Sequence, residues 1–350
     1  MRVSDIPALR GYWYPVAYGH EVDDQPLQAR LFGSPYVVWR DRPGGPVRAA
    51  VDECPHRAAR LSQGWVDQEA LVCPYHGWRF DAQGRCVTIP ALDPATPITS
   101  RARLACVSAA ERYGLVWLLV GDEREPIPDL TELNLGYTLI HELKEYWTAS
   151  APRMIDNALD VSHVAFVHRG TVGDPDAARL SDFAVEREGH RLRFEVTYKS
   201  HVRGTQVTNV GLAGVVTRTT EAELVQPFVF RGALVYETGL RHVLFKTCTP
   251  VDDETTLFFQ FIGRNDDPPE EKWPDIIAVD RAVQAEDRLI LEAIDADFPL
   301  DITSEVHTRA DRMTVEYRRI LAELAALGPP APPPPPPPTP PPPGGARLPA

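Results

Sequence analysis

The stretch ECPHRAARLSQGWVDQEALVCPYHGW, residues 53–78, contains four side chains of metal-binding type. Cys54 and His56 are separated by one residue, Cys73 and His76 are separated by two, and a spacer of sixteen residues lies between the two pairs. Two thiolates and two imidazoles in paired loops indicate a metal site. Zinc would take all four ligands in one tetrahedron. Because each loop offers one Cys and one His, a two-iron cluster can instead take both thiolates on one iron and both imidazoles on the other.

The residues around these four ligands resemble the Rieske [2Fe–2S] motif. The resemblance is carried by CPHR at 54–57 and by CPYHGW at 73–78. It implies that the two cysteines bind the inner iron and the two histidines the outer iron. Neutral imidazoles in place of two thiolates raise the reduction potential of such a cluster. The resemblance therefore implies an electron-transfer cluster, whereas zinc remains the alternative that the spacing alone allows.

Length and charge narrow the class of protein. A chain of 350 residues corresponds to two or three domains, more than a lone cluster domain needs. The net charge of −13, without a block of Lys or Arg, argues against nucleic acid and against an anionic membrane surface as partners. No apolar run approaches the ~20 residues of a membrane span, and the N-terminus lacks a signal-peptide core. Cys86, Cys106 and Cys248 show no paired spacing, and such few, unpaired cysteines are typical of proteins in a reducing compartment. We expect a cytoplasmic protein.

Three segments differ in their sequence patterns. Residues 1–125 alternate apolar and polar positions around aromatic and β-branched residues, which predicts a β-rich domain with the metal loops at its tip. Pro126 and Pro128 mark a boundary. Residues 126–327 combine strand patterns between about 185 and 265 with helical periodicity after Trp273. Residues 328–350 form a proline-rich tail, which predicts polyproline II or disorder. The patterns predict an α+β fold.

A second group of metal-binding residues lies in NALDVSHVAFVH, residues 157–168. The apolar positions favour a helix, on which Asp160 and His163 share a face. His168 is about 140° further round an ideal helix. Both imidazoles can therefore reach one metal only if the helix distorts or ends between them. Two histidines and a carboxylate would complete the triad of non-haem Fe(II) oxygenases.

The carboxylate is predicted on the helix from about Pro274 to Ala293. Its apolar stripe is formed by Ile276, Val279, Val283, Ile290 and Ile294, and Asp287 falls in a gap at the centre of the stripe. A buried carboxylate is costly unless it is paired or bound to a metal. Asp287 is therefore the predicted third ligand. The acidic residues further round the helix are interpreted as solvated: Asp280, Glu286 and Glu292.

NALDVSHVAFVH, followed over a hundred residues later by AEDRLILEA at 285–293, resembles the catalytic domain of Rieske non-haem iron oxygenase α-subunits. The similarity spans most of residues 10–325. It is closest to the branch of vanillate and dicamba O-demethylases and methylxanthine N-demethylases. The resemblance implies an all-β Rieske domain and an antiparallel catalytic sheet with flanking helices, of the helix-grip, START-like type.

The resemblance also implies roles for individual residues. His163, His168 and Asp287 would hold a mononuclear Fe(II). Asp160 would bridge a Rieske histidine of one subunit to an iron-ligand histidine of its neighbour in a head-to-tail homotrimer. Asn157 would lie beside the iron. The family builds its substrate pocket from the segment at about 175–260.

The implied activity is that of an oxygenase component. It would use O2 and electrons from a separate reductase or ferredoxin, so that NAD(P)H acts only indirectly; this chain has no G-x-G-x-x-G motif. The expected substrate is an aromatic or heteroaromatic small molecule, whose oxidative O- or N-demethylation releases formaldehyde. Ring dihydroxylation or C–H hydroxylation by the same iron is an open alternative. Outside the enzymes, a Rieske electron carrier and a zinc-stapled interaction protein are alternatives.

Overall fold

The computed structural model describes residues 1–23, 25–202 and 214–328, which form three antiparallel sheets and five α-helices. The proline-rich tail predicted after Gly328 lies outside these residues. The strands are β1 Tyr14–Tyr18, β2 Leu27–Leu31, β3 Ser34–Arg40, β4 Val47–Val51, β5 Trp65–Asp67, β6 Ala70–Val72, β7 Arg79–Phe80, β8 Cys86–Thr88, β9 Cys106–Arg112, β10 Leu115–Leu119, β11 Thr138–Trp147, β12 Val185–Glu188, β13 Arg191–Val202, β14 Gly214–Gln226, β15 Val229–Tyr236, β16 Arg241–Pro250 and β17 Thr256–Arg264. The helices are α1 Thr131–Asn134, α2 Ala151–Leu159, α3 Val164–Val167, α4 Trp273–Leu291 and α5 Arg312–Ala326.

The N-terminal part contains two sheets. Six strands pair in the order β1-β10-β9-β4-β3-β2, and β5-β6-β7-β8 form a separate four-stranded sheet. The apolar run at 115–119 is a strand whose five residues are all buried. Strands β7 and β8 form a hairpin with Gly84 at φ +73° in its turn. The second metal loop, at 73–78, connects β6 to β7, so the small sheet fixes its position.

The second part is built on a seven-stranded sheet in the order β11-β17-β16-β15-β14-β13-β12. Because side chains alternate along a strand, the pairing places the even-numbered residues of β13 to β17 on one face. One row across this face runs Tyr198, Arg218, Tyr236, and another runs Phe230, Lys246, Gln260. The sheet therefore carries polar and charged side chains on the face that faces α4.

Helix α4 packs beside β11, and α2 packs on β15 and β16. The buried residues of α4 recur every three or four positions, which places them on one side of the helix: Ile276, Asp280, Gln284, Asp287 and Leu291. The predicted stripe is correct in its N-terminal part, but Ile290 and Ile294 are largely exposed.

The last helix, α5, buries one apolar face completely: Met313, Tyr317, Ile320, Leu321 and Leu324. Gly328 follows it at φ +66°, the left-handed conformation that favours glycine beyond a helix end. Side chains of α5 join residues of both large sheets in one continuous core. Across the described ranges, no helix combines the length and apolarity needed to span a bilayer.

Candidate metal centres

The first metal loop is closed by two backbone hydrogen bonds. The N–H of Cys54 donates to the carbonyl of Ala59 at 2.9 Å, and the N–H of Ala58 donates back to the carbonyl of Cys54 at 2.9 Å. Ala58 has φ +55°, a conformation that costs free energy for a residue with a Cβ. The loop therefore turns back on itself and presents Cys54 and His56 on the same side.

The second loop repeats this pattern. The N–H of Cys73 donates to the carbonyl of Trp78 at 2.9 Å, and the N–H of Gly77 donates to the carbonyl of Cys73 at 3.1 Å. Gly77, like its counterpart in the first loop, lies in the left-handed region at φ +67°. Two loops of the same backbone form thus present one Cys and one His each.

The four predicted cluster ligands lie at two depths, the cysteines in the interior and the histidines near the surface. Cys54 and Cys73 are only 2% and 1% exposed, whereas His56 is partly exposed and His76 is exposed. The two imidazole rings lie 4.5 Å apart, and the His56 ring stacks on Trp78. A pair of buried sulfurs beneath a pair of outward imidazoles fits a [2Fe–2S] cluster with one inner and one outer iron.

Burial, together with the neighbouring Cys73, raises the pKa of the Cys54 thiol to about 11. A metal ion binds the thiolate and displaces its proton, so this pair is suited to a bound cation. A single tetrahedral zinc would need all four donor atoms close together. Within the described parts of the chain, the group of three or more donors that meets within 4.8 Å is a different one. The spread of the four ligands thus favours a cluster over a single ion.

That group consists of His163, His168 and Asp287. The Nε2 atoms of the two histidines lie 3.3 Å apart, and Oδ1 of Asp287 lies 3.4 Å from Nε2 of His163 and 3.3 Å from Nε2 of His168. Adjacent ligands of an octahedral ion, at metal–ligand distances of roughly 2.0–2.2 Å, lie about 3 Å apart. The three donors form a nearly equilateral triangle of this size, so they fit one face of a mononuclear metal and leave the opposite face open.

The backbone between α2 and α3 differs from the predicted single helix. Helix α2 ends at Leu159, Asp160 is extended, and α3 starts only after His163. Oδ1 of Asp160 accepts hydrogen bonds from the N–H and the hydroxyl of Ser162, at 2.7 and 2.6 Å. This local turn competes with helical hydrogen bonding. The helical segment is therefore interrupted, as the sequence requires if both histidines are to reach one metal, but the interruption lies before His163, and His163 and His168 flank the short helix α3.

Each triad residue has a polar side chain beside it. Asn157 Nδ2 donates to Oδ1 of Asp287 at 3.1 Å. Nδ1 of His163 faces Oδ2 of Asp160 at 3.6 Å, a distance too long for a hydrogen bond. Carboxylates behind metal-bound histidines fix the ring and the tautomer, leaving Nε2 for the metal.

Glu286 is the neighbour that the sequence did not predict. Its Oε2 lies 3.1 Å from Nδ1 of His168 and accepts a hydrogen bond from the hydroxyl of Thr171 at 2.7 Å. A Cβ on Gly170 would lie 2.5 Å from the other oxygen of Glu286, so the glycine leaves room for this carboxylate. The interpretation of Glu286 as solvated was wrong. The sequence EDR at 286–288 indicates the contact of Glu286 with His168 only when the positions of both residues in the fold are known.

The charges of the triad are strongly coupled. Burial opposes protonation of His163, but Asp160 and Asp287 outweigh it and raise the pKa of His163 to about 9. Burial also opposes ionisation of Asp287, yet both histidines hold its pKa well below the usual range. Without a metal, the site thus contains a carboxylate that needs a positive partner, and a divalent cation can take that place.

The triad lies in the wall of a cavity of about 100 Å³ that is partly open to solvent. Its apolar lining comes from Val161, Val164, Val172, Phe230, Leu234, Leu244 and Val283, and its polar lining from Tyr198, Arg218, Thr220, Lys246, Gln260, Asp280 and Gln284. Such a space suits a small organic molecule with a few fixed polar contacts. Of the six phenylalanines between Phe228 and Phe261, only Phe230 lines this cavity; the others are buried in the core.

Asp280 also departs from its interpretation as a solvated residue. It is 8% exposed, lines the cavity and faces Glu142, a second buried carboxyl group. Burial raises the pKa of both groups. A helical pattern on α4 could not reveal this pair, since Glu142 is contributed by β11. Glu292 is exposed, as the sequence predicts.

Comparisons with known proteins agree with this geometry. Residues 12–107 match the Rieske [2Fe–2S] domain, and residues 147–327 match the C-terminal domain of vanillate O-demethylase oxygenase. The chain is 32% identical to methylxanthine N1-demethylase NdmA of Pseudomonas putida, over 90% of this chain and 89% of the relative. Methylxanthine N3-demethylase NdmB of the same species is 30% identical to the chain, over 92% of this chain and 91% of the relative. A 3-chlorobenzoate-3,4-dioxygenase oxygenase subunit of Comamonas testosteroni is 29% identical, over 72% of this chain and 58% of that one.

A solved structure of Pseudomonas putida NdmA with caffeine superimposes with a TM-score of 0.77 at 30% identity, covering 92% of this chain and 93% of that one. The fold and these similarities define an iron-dependent oxygenase. The chain belongs to the Rieske non-haem iron oxygenase family, whose members combine a [2Fe–2S] cluster with a mononuclear iron. Members of this family work with reductase or ferredoxin partners on small-molecule substrates.

Proposed function

We propose that this oxygenase removes a methyl group from an aromatic or heteroaromatic small molecule by hydroxylating it. For an O- or N-methyl substrate, O2, two electrons and two protons yield the hydroxymethyl compound and water. The hydroxymethyl compound then loses formaldehyde and leaves a hydroxyl or N–H group on the ring. The observation that carries this proposal is the triangle of three donors in the wall of a largely apolar cavity.

When bound, the cluster would supply single electrons and the mononuclear iron would supply O2 activation. We assign Cys54, Cys73, His56 and His76 to the cluster, and His163, His168 and Asp287 to the iron. The three donors occupy one face, so the cavity side stays free for substrate. The apolar wall excludes water from the reacting methyl group.

Asn157 and Glu286 are positioning residues in this proposal. Asn157 holds the carboxylate of Asp287 through its amide N–H. Glu286 holds the ring of His168 through Nδ1. Both contacts keep the donor atoms in the triangle when no substrate is bound.

Asp160 is assigned as the bridge between two copies of the chain in a homotrimer. Its side chain is 26% exposed and lies against Nδ1 of His163. His56 and His76 are also accessible from outside. A neighbouring copy can therefore bring an imidazole N–H to the free side of Asp160. These exposures support the bridge.

The electron donor is proposed to be a reductase or ferredoxin, which oxidises NAD(P)H on a separate protein. We further propose three segments, 1–125 for the cluster, 126–327 for catalysis and 328–350 as a tail, and a cytoplasmic location. Cys86, Cys106 and Cys248, the cysteines outside the cluster, form no disulfide in the described residues, which supports a reducing compartment.

Ring dihydroxylation is the second candidate, supported by the similarity to the 3-chlorobenzoate-3,4-dioxygenase subunit. The two reactions differ in their products. Incubation of the iron-loaded protein with a reductase, NADH and a panel of methylated aromatic compounds is expected to release one formaldehyde per O2 consumed. O2 consumption with ring diols and no formaldehyde would contradict demethylation.

A further inference from the structure

Two buried carboxyl groups meet beside the cavity, apart from the metal-binding triad. Glu142 of β11 is 2% exposed and Asp280 of α4 is 8% exposed. Each of the two side chains lies within hydrogen-bonding reach of the other. Because ionised carboxylates only accept hydrogen bonds, two of them cannot bond to each other. The contact therefore requires a proton on one of the two groups.

The surroundings place this proton mainly on Glu142. Its Oε2 accepts a hydrogen bond from Nε2 of Gln260 at 2.9 Å, whereas its Oε1 is buried and meets no donor among the described residues. Burial, together with Asp280, raises the pKa of Glu142 well above its usual range. Burial also raises the pKa of Asp280, but the hydrogen bond from Glu142 and three cations oppose this shift: Arg264, Lys246 and Arg218. Glu142 thus keeps the proton and donates it in a hydrogen bond to Asp280.

The other titratable groups around the pair do not compete for its proton. Burial raises the pKa of Tyr18 to about 12 and also raises the pKa of Tyr236, so both phenols stay neutral. Burial lowers the pKa of His242 well below its usual range, so this imidazole is neutral too. The carboxyl pair is therefore the group on this side of the described sheet that can gain or lose a proton near neutral pH.

A bulge in β11 brings Glu142 to this position. The register with β17 shifts between His141 and Leu143, so Glu142 has no partner of its own on that strand. Nε of Arg281 donates to the backbone carbonyl of Glu142 at 3.2 Å, which ties the bulge to α4. Bulges redirect side chains and are common beside active sites. Two costly features, a strand irregularity and a buried acid pair, thus coincide next to the cavity.

Asp280 connects the pair to the cavity that contains the triad. Asp280, Lys246 and the triad residue Asp287 all line this cavity. Two turns of α4 separate the two aspartates, which places them on the same side of the helix, about 10 Å apart along its axis. The ammonium group of Lys246 is close enough to act electrostatically on both carboxyl groups. The cavity, at about 100 Å³, has room for water between them.

Two further acids line the described cavity wall, and neither offers a proton. Asp160 and Asp287 are ionised, because their contacts with the triad histidines outweigh the effect of burial on their pKa values. Asp280 is therefore the acid of this wall that touches a stored proton.

We propose that Glu142 and Asp280 are the internal acid of the oxygenase: Glu142 stores a proton, and Asp280 passes it into the cavity during oxygen reduction. In the proposed hydroxylation, O2, two electrons and two protons give one hydroxyl group and one water. The O–H bond of Glu142 breaks, and its proton moves through Asp280 and cavity water to the oxygen atom that leaves as water. The electrons come from the reductase, and the pair regains a proton from solvent after the product leaves. The proposal rests on the proposed hydroxylation but not on the loss of a methyl group.

Infrared spectra of the full-length, iron-loaded protein without oxygen test the stored proton in the absence of turnover. A neutral carboxyl group has a carbonyl band that is separate from the bands of ionised carboxylates and shifts in D2O. This band is expected at neutral pH in the wild type and should be absent in Glu142→Gln. The new amide can still accept from Gln260 and donate to Asp280, so the variant removes the proton and keeps both contacts.

Glu223→Gln is the control for the infrared band. Glu223 pairs with Arg193 on the opposite face of the sheet, so this variant should keep the band. A band that persists unchanged in Glu142→Gln would overturn the assignment of the proton to Glu142.

Single turnover tests the delivery of the proton. Chemically reduced, iron-loaded protein is mixed with O2 and either caffeine or 4-methoxybenzoate, whichever reoxidises the wild-type cluster faster, and cluster absorbance is followed. The wild-type rate is expected to stay level between about pH 6 and about pH 8, because Glu142 remains protonated below its raised pKa. In Glu142→Gln the proton comes from solvent, so the rate should be at least about tenfold lower at the upper pH and rise as the pH falls. The same rate and pH profile in both proteins would refute the internal acid.

Asp280→Asn separates delivery from storage, and it decides the question if Glu142→Gln fails to load iron. Glu142 then faces an amide and stays neutral, so the infrared band should remain. The single-turnover rate should nevertheless fall at least about tenfold, with cluster absorbance, iron content and Tm intact. A wild-type rate in this variant would exclude passage of the proton through Asp280.

Formaldehyde measured in the same samples distinguishes this inference from the proposed function. A hydroxylated product without formaldehyde, formed with the pH-dependent loss of rate in Glu142→Gln, would support the internal acid and contradict demethylation. Formaldehyde released equally fast by the wild type and Glu142→Gln across the pH range would support demethylation and contradict the internal acid.

Discussion

Three acidic residues of α4 have different surroundings although they lie within one segment of eight residues. Asp287 meets two imidazoles, Glu286 lies behind one of them, and Asp280 faces a second carboxyl group. The sequence could predict only Asp287, because a carboxylate within an apolar stripe is anomalous by itself. The partners of Glu286 and Asp280 come from distant segments, so periodicity carries no signal for them.

Removal of one iron donor should leave the cluster untouched. Asp287→Ala or His163→Ala is expected to abolish turnover and mononuclear iron binding, because two donors hold Fe(II) far less tightly than three. Iron analysis should fall from about three to about two per chain, with unchanged cluster absorbance. Glu270→Gln, an exposed acid without a described partner, is the control. Full activity in Asp287→Ala would refute the assignment.

Glu286 should tune the metal without binding it. Glu286→Gln is expected to lower the affinity for Fe(II) by about 10- to 100-fold, the usual effect of losing a carboxylate behind a histidine ligand. Gly170→Ala should act in the same direction, since its Cβ would displace the same carboxylate. Titration of Fe(II) into metal-depleted protein measures the affinity. Wild-type affinity in both variants would show that Glu286 does not position His168.

At the scale of elements, the strands, the helices α4 and α5 and the residues of the second metal site could be predicted from the sequence. The path of the backbone between α2 and α3 could not. Apolar positions on both sides of Asp160 continue a helical period, which hides the turn made by Asp160 and Ser162. The polar lining of the cavity could not be predicted from the sequence either. It depends on the register that places Tyr198, Arg218 and Tyr236 in one row, and no local pattern encodes that pairing.

The two metal loops offer a matched pair of substitutions. Gly77→Ala would add a Cβ at φ +67°, 3.1 Å from Cγ of Pro90. It is therefore expected to speed loss of the cluster and to lower the Tm by roughly 2–4 °C for each kcal/mol that the free energy of unfolding loses. Ala58→Gly removes a Cβ at φ +55° in the equivalent position and should not destabilise the loop. Thermal unfolding followed by cluster absorbance checks both. Equal losses in the two variants would contradict the role of the left-handed turn.

At the scale of the molecule, residues of both large sheets pack in one core, while the outer imidazoles of the cluster and Asp160 remain accessible. The proposed electron path to another copy of the chain requires this exposure. The sequence gives no direct sign of such an assembly; the resemblance to the family suggested it, and the exposure of these groups supports it.

Mixing of two inactive variants tests the path between subunits. Cys73→Ser lacks the cluster and Asp287→Ala lacks the iron, so neither should turn over alone. In a mixed head-to-tail trimer, about a quarter of the interfaces pair an intact cluster with an intact iron, and activity should return to about that fraction. Two affinity tags verify that the chains co-assemble. Co-assembly without activity would contradict transfer across the interface.

Asp160→Asn should block the same path by itself. The amide oxygen can still accept the hydrogen bonds from Ser162, but the negative charge beside His163 is lost. Both metal centres are expected to stay intact, with turnover and cluster reoxidation by O2 and substrate slowed at least about tenfold. Ser162→Ala is the control that disturbs the turn and keeps the charge. Normal reoxidation in Asp160→Asn would exclude the bridge.

The central claim is that one chain holds two different iron centres. Iron, zinc and acid-labile sulfide should be measured on protein purified without oxygen, with EPR spectra recorded after dithionite reduction. The account predicts about three irons and two sulfides per chain, with the rhombic signal of a cluster bound by two histidines. Zinc in place of iron, without sulfide, would contradict it.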